Sequence, residues 1–61
     1  MSNKKLIVEI QTGNAAFELD EKAELSRILR ELADKVEQGF EEINLRDFNG
    51  NKVGFAELLS K

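Results

Sequence analysis

The 61-residue chain contains no cysteine, histidine, proline, tryptophan or tyrosine. Each absence removes a class of explanation. Without cysteine no disulfide can staple the fold, and without cysteine and histidine the common soft-metal sites are gone, leaving only carboxylate and carbonyl oxygens as ligands. The usual general bases and activated nucleophiles are missing for the same reason, and Thr12, Ser26 and Ser60 stand beside no obvious partner hydroxyl chemistry would need. No glycine-rich loop of the phosphate-cradling kind is present. The expectation is a protein that is not an enzyme and needs no cofactor. Nor is there a long apolar run. The opening "MSNKKLIVEI" is too short and too interrupted by charge for a signal peptide or a membrane span, which predicts a cytoplasmic protein without membrane contact. The net charge of −3 and the isoelectric point near 4.9 lack the basic footprint a polyanion requires, arguing against a nucleic-acid partner.

What is present suits a single globular domain over residues 1–61, with 41% apolar residues and charges of both signs interspersed. A domain of this size buries only roughly 60% of the surface its unfolded chain exposes. With disulfides and soft metals excluded, self-association is the remaining staple, and a homodimer is expected.

Residues 5–12, "KLIVEIQT", alternate as a strand whose Leu6, Val8 and Ile10 share one face while Ile7, Glu9 and Gln11 share the other. Thr12-Gly13-Asn14 supplies turn chemistry, and "AAFEL" at 15–19 reads as a short second strand. Residues 21–38 carry Leu25, Ile28, Leu29, Leu32 and Val36 at the spacing of one helical face, with Ala33 at its margin. Asp20 suits the N-cap, Glu21 and Glu24 suit the positive end of the helix dipole, and Gly39 suits the C′ position. Glu31 and Lys35 form an i,i+4 pair on the outer face.

Two further strands flank "DFNGN", and their register follows from parity. An even-length loop would group Ile43 and Leu45 with Gly54 and Ala56. A three-residue loop, Asn49-Gly50-Asn51, pairs Phe48 with Lys52 and gathers Ile43, Leu45, Val53 and Phe55 on one face, so it is the preferred register. Its other face carries Phe48, Ala56 and Leu58. The predicted fold is α+β: a small antiparallel sheet of three or four strands with one amphipathic helix on one face, in the order β-(β)-α-β-β.

Asp47, Asn49 and Asn51 match positions 1, 3 and 5 of an EF-hand loop, but the sixth position is Lys52 rather than glycine and the twelfth is Leu58 rather than glutamate. No metal site is expected: turn chemistry explains the three residues, with Asp47 stabilising the bend through local hydrogen bonds and Gly54 permitting a bulge or a close backbone approach. Two other features point to binding. Residues 18–42 hold nine acidic against four basic side chains, a surface that could meet a basic partner. One helix can cover only one side of a sheet, so Ile7, Phe48, Ala56 and Leu58 are the candidate oligomer interface. Arg46, Asp47, Phe48, Asn49, Asn51 and Lys52 form a candidate polar rim for a partner or a small anionic ligand.

"AAFE", "SRILRELADKVEQG" and "LRDFNGNKVG" together resemble a group of small proteins encoded in bacteriophage, prophage and plasmid genomes, the Arg46-Asp47-x-Asn49-Gly50-Asn51-x-Val53-Gly54 segment most specifically. The resemblance implies a mobile-element origin and, by analogy, a binder of host machinery such as a restriction, CRISPR or nucleotide-signalling defence system. The leading expectation is therefore a non-enzymatic protein that modulates or inhibits a host or phage protein through an interface. The alternative is an oligomeric small-ligand or nucleotide sponge.

Overall fold

The computed structural model describes residues 4–60. They form strand β1 (Lys4–Ile10), a 3-10 turn (Ala15–Phe17), helix α1 (Glu21–Glu37), strand β2 (Glu42–Arg46) and strand β3 (Lys52–Ser60). The strands make one antiparallel sheet in the order β1-β3-β2, with α1 across one face, so the α+β architecture matches the sequence reading. Among the described residues no helix is long and apolar enough to cross a membrane.

The helix begins where Asp20 Oδ1 accepts the Ala23 N–H at 3.1 Å, and Gly39, at φ +100°, ends it in the left-handed region. Its buried stripe differs from the one expected. Glu24, Ile28 and Leu32 point inward at i, i+4 and i+8, Leu25 is half-buried, and Leu29 and Val36 are exposed. Glu31 pairs with Arg27 at 2.7 Å rather than with Lys35, whose ammonium sits 5.6 Å from the centre of the Phe40 ring.

"AAFEL" is not a strand. Asn14 Oδ1 accepts the Ala16 N–H at 3.0 Å and starts a 3-10 turn that drives Ala16 and Phe17 into the core, while Leu19 is left exposed. A side-chain cap offered the backbone a turn in place of a ladder.

The hairpin register is the second correction. The loop has three residues, but they are Phe48-Asn49-Gly50: Asp47 donates its N–H to the Asn51 carbonyl at 2.9 Å, and its own carbonyl accepts the Gly50 N–H at 2.9 Å. Gly50 stands at φ +86°, the conformation this loop class reserves for glycine. Past Arg46↔Lys52 the pairing shifts to Leu45↔Gly54, leaving Val53 as the extra residue of a β-bulge. The bulge reverses parity beyond it. Val53 packs with Ile43 and Leu45 as expected, but Ala56 replaces Phe55 in the core, and Phe55 turns to the opposite face beside Asn44 and Glu9.

Gly54 permits this arrangement, because a Cβ there would overlap the Glu9 carbonyl oxygen. The core comprises Ala16, Phe17, Ile28, Leu32, Ile43, Leu45, Val53 and Ala56. The helix lies over β2 and the 3-10 turn. In a particle of 42 × 19 × 17 Å, that leaves Leu6 (46% exposed) and Val8 (39%) uncovered on the helix side of the sheet.

Candidate functional site

The segment Arg46–Lys52 is held by two buried carboxylates. Asp47 Oδ1 accepts the N–H groups of Asn49 and Asn51, each at 2.9 Å, and Oδ2 accepts the Asn14 side-chain amide at 2.7 Å and, more weakly, that of Asn51 at 3.4 Å. Glu24, from the first turn of α1, takes Arg27 in a two-pronged pair, Nε to Oε1 at 2.9 Å and Nη2 to Oε2 at 2.8 Å. Its Oε2 also accepts the Phe48 N–H at 2.9 Å. Arg27 reaches on to the Arg46 carbonyl at 3.1 Å, and the Arg46 guanidinium closes over the loop onto the Gly50 carbonyl at 3.1 Å. Among the described residues no buried side-chain polar atom lacks a partner.

The electrostatics follow from these bonds. The Arg27 guanidinium holds the Glu24 carboxyl below its ordinary pKa; burial opposes this and the Phe48 N–H assists it. At Asp47 burial pushes the pKa up, but the N–H donors from Asn51, Asn14 and Asn49 outweigh it and the net shift is downward. Both carboxylates are therefore charged and engaged at neutral pH. The N–H groups converging on Asp47 occupy its oxygens with donors, the reverse of what a cation would require.

The six residues expected to form a rim thus divide. Asp47 is 4% exposed and consumed by the loop's own hydrogen bonds, so it belongs to the scaffold. Arg46, Asn49, Asn51 and Lys52 are exposed around it. Phe48, 62% exposed, stands at the tip with its backbone clamped by Glu24. The set expected at an oligomer interface comes apart as well. Ala56, at 1% exposure, lies under the helix in the core, a direct result of the bulge. Leu58 shares that helix-side face, Ile7 lies on the opposite face beside Glu57, and Phe48 is on the loop. The outer face carries Ile7, Phe55 and Leu59 among Lys5, Glu9, Asn44 and Glu57, mixed rather than apolar.

Glu24, Arg27 and Asn14 join this site although residue patterns gave Glu24 only a place at the helix dipole, Asn14 only a turn and Arg27 no role. Glu24 was legible as the i−4 and i−8 neighbour of Ile28 and Leu32. Asn14 had no comparable signal, because its partner lies 33 residues away.

The surface grooves are open. The one lined by Glu9, Gln11, Lys52, Val53, Gly54 and Phe55 holds about 230 Å³, and the one lined by Gln11, Gly13, Asn14, Lys52 and Val53 about 290 Å³. Neither exceeds the roughly 300 Å³ at which small-molecule sites begin, and among the described residues Lys52 is the one cation lining either. Compared with known proteins, the chain matches no family model, no curated protein and no solved structure.

Proposed function

We propose that this is a small non-enzymatic binding protein, encoded by a phage or other mobile element as its resemblance implies, that acts as a homodimer and modulates a host protein through a protein–protein interface. The observation that carries the reading is Phe48. A phenylalanine left largely in water at a loop tip is an interface residue in waiting, and this loop is fixed in advance by Glu24 and Asp47. A preorganised aromatic loses little conformational freedom on docking, so more of its buried area becomes affinity. Arg46, Asn49, Asn51 and Lys52 supply a polar rim around it, and the acidic outer face of α1 favours a basic partner.

The test is affinity capture from bacterial lysate with the wild-type chain and with Phe48→Ala, both verified as folded by circular dichroism. The expected result is one protein retained stoichiometrically by the wild type and lost from the variant. Capture indifferent to Phe48 would count against the reading. A stoichiometric small-molecule mass on the freshly purified protein in native mass spectrometry would instead support ligand capture.

A further inference from the structure

β1 is an edge strand and is exposed from Lys4 to Glu9. Its main-chain groups have a defined direction. The Gln11 N–H donates to the Val53 carbonyl at 2.8 Å, directly opposite it in the β1–β3 register. Hydrogen-bonded pairs alternate along an antiparallel ladder, so Glu9, Ile7 and Lys5 also aim their N–H and C=O groups at β3. Those of Ile10, Val8, Leu6 and Lys4 therefore point out of the sheet. The other side of β3 agrees, since the Leu58 N–H donates to the Glu41 carbonyl at 2.8 Å, away from β1.

Such an edge is a template for another strand, and β1 carries few of the devices that blunt one. It has no proline and an unbroken register, and both its lysines lie at one end. The opposite edge, β2, is five residues long and ends at the bulge.

We propose that β1 is the seam of a homodimer, pairing antiparallel with β1 of a second copy about a twofold axis at Ile7. The inference rests on the self-association in the proposed function but not on the identity of the host partner. In a twofold pair the outward-pointing residues must meet one another, which puts the axis on a residue, and a seam longer than three residues within Lys4–Ile10 leaves Leu6, Ile7 or Val8. Charge decides among them. An axis at Leu6 sets Lys5 opposite Ile7, and an axis at Val8 sets Glu9 opposite Ile7. Only an axis at Ile7 sets Lys5 opposite the partner's Glu9, and Glu9 opposite the partner's Lys5. These are non-hydrogen-bonded pairs, in which facing side chains come closest.

The same register engages all of Lys4–Ile10 and sets Leu6 against the partner's Val8 on the helix side, where both are uncovered. The two three-stranded sheets become one continuous sheet, and the chain gains the partner-derived stabilisation that its size and lack of disulfides call for.

The experiment is analytical ultracentrifugation and native mass spectrometry of the full chain with Lys5→Glu, Glu9→Lys and the double reversal, at low salt. The wild type should be a dimer. Each single reversal opposes like charges twice across the seam and should weaken the dimer by about tenfold or more, and the double reversal should restore it. Because the double variant contains both substitutions, its recovery separates the pairing from any folding defect. The chain has no cysteine, so single Ile7→Cys, Leu6→Cys and Val8→Cys variants report the axis directly. Facing Cα atoms in a non-hydrogen-bonded pair lie about 4.5 Å apart, within disulfide range, so Ile7→Cys should cross-link fastest under mild oxidation.

A wild type that stays monomeric overturns the seam and the homodimer together. A dimer indifferent to charge reversal, or one that cross-links fastest at position 6 or 8, overturns the seam alone. Neither result affects Phe48-dependent capture.

Discussion

The Asn14 side-chain amide donates to Asp47 Oδ2 at 2.7 Å, tying the turn after β1 to the β2–β3 loop across 33 residues of chain. The same Asn14 caps the 3-10 turn through the Ala16 N–H. One side chain therefore positions both the descent into the helix and the loop that presents Phe48.

Asn14→Ala removes a cap and a hydrogen bond to a charged group, and should cost about 1–3 kcal/mol. In a domain this small each kcal/mol lowers the melting temperature by roughly 4–8 °C. Asn14→Asp keeps the capping oxygen but sets a second carboxylate against Asp47, so it should melt lower than the alanine variant at pH 7 and recover as the pH falls. Thermal melts followed by circular dichroism distinguish the two, and equal melting of both variants across that range would contradict the contact.

Glu24 and Asp47 both have lowered pKa values in the folded state. Groups of this sign contribute stability that is fully present above their unfolded pKa and is lost as pH falls through the folded one. With no histidine in the chain, stability should be flat from about pH 5 to 8 and decline below about pH 4. Urea denaturation across this range checks it. Glu24→Gln should be less stable at neutrality and show a shallower acid limb, whereas parallel curves for variant and wild type would remove Glu24 from the account.

Gly54→Ala forces a methyl group against the Glu9 carbonyl and should cost about 3 kcal/mol or more, with loss of amide protection concentrated in β1. Gly13→Ala provides the control, since a Cβ there meets nothing within 4 Å, and should stay within about 0.5 kcal/mol of wild type. Hydrogen exchange resolves the two cases residue by residue.

Ile28 and Leu29 look alike in the helical pattern, yet one is 1% exposed and the other 47%. Ile28→Ala should cost about 2–5 kcal/mol, enough to unfold much of the population, while Leu29→Ala should cost less than about 1 kcal/mol. Chemical denaturation of both variants tests the rotation of the helix about its axis.

The helix, its Asp20 cap, its Gly39 stop and the alternation of β1 were legible because each rests on residues within a turn or two of one another. The hairpin was legible as a hairpin, and its three-residue loop was anticipated one position late. Gly54 was legible as a residue that permits a bulge or a close backbone approach; what residue patterns could not supply was that the extra residue is Val53 and that the ladder changes parity there. A single extra residue reverses the facing of everything beyond it, and its preference comes from the fit of Gly54 against Glu9 on a third strand. The roles of Ala56 and Phe55 were exchanged for that reason alone.

The roles of Glu24 and Asp47 divide in the same way. By itself the sequence determined that both are acids at a helix start and a turn, where local donors favour negative charge. Only the tertiary structure decided that both are buried and that their remaining lone pairs are satisfied by Phe48 and Asn14. Local hydrogen bonding is encoded by neighbours in the chain. The burial of a charge depends on which distant donors the packed core brings within 3 Å of it, and that is a property of the whole fold.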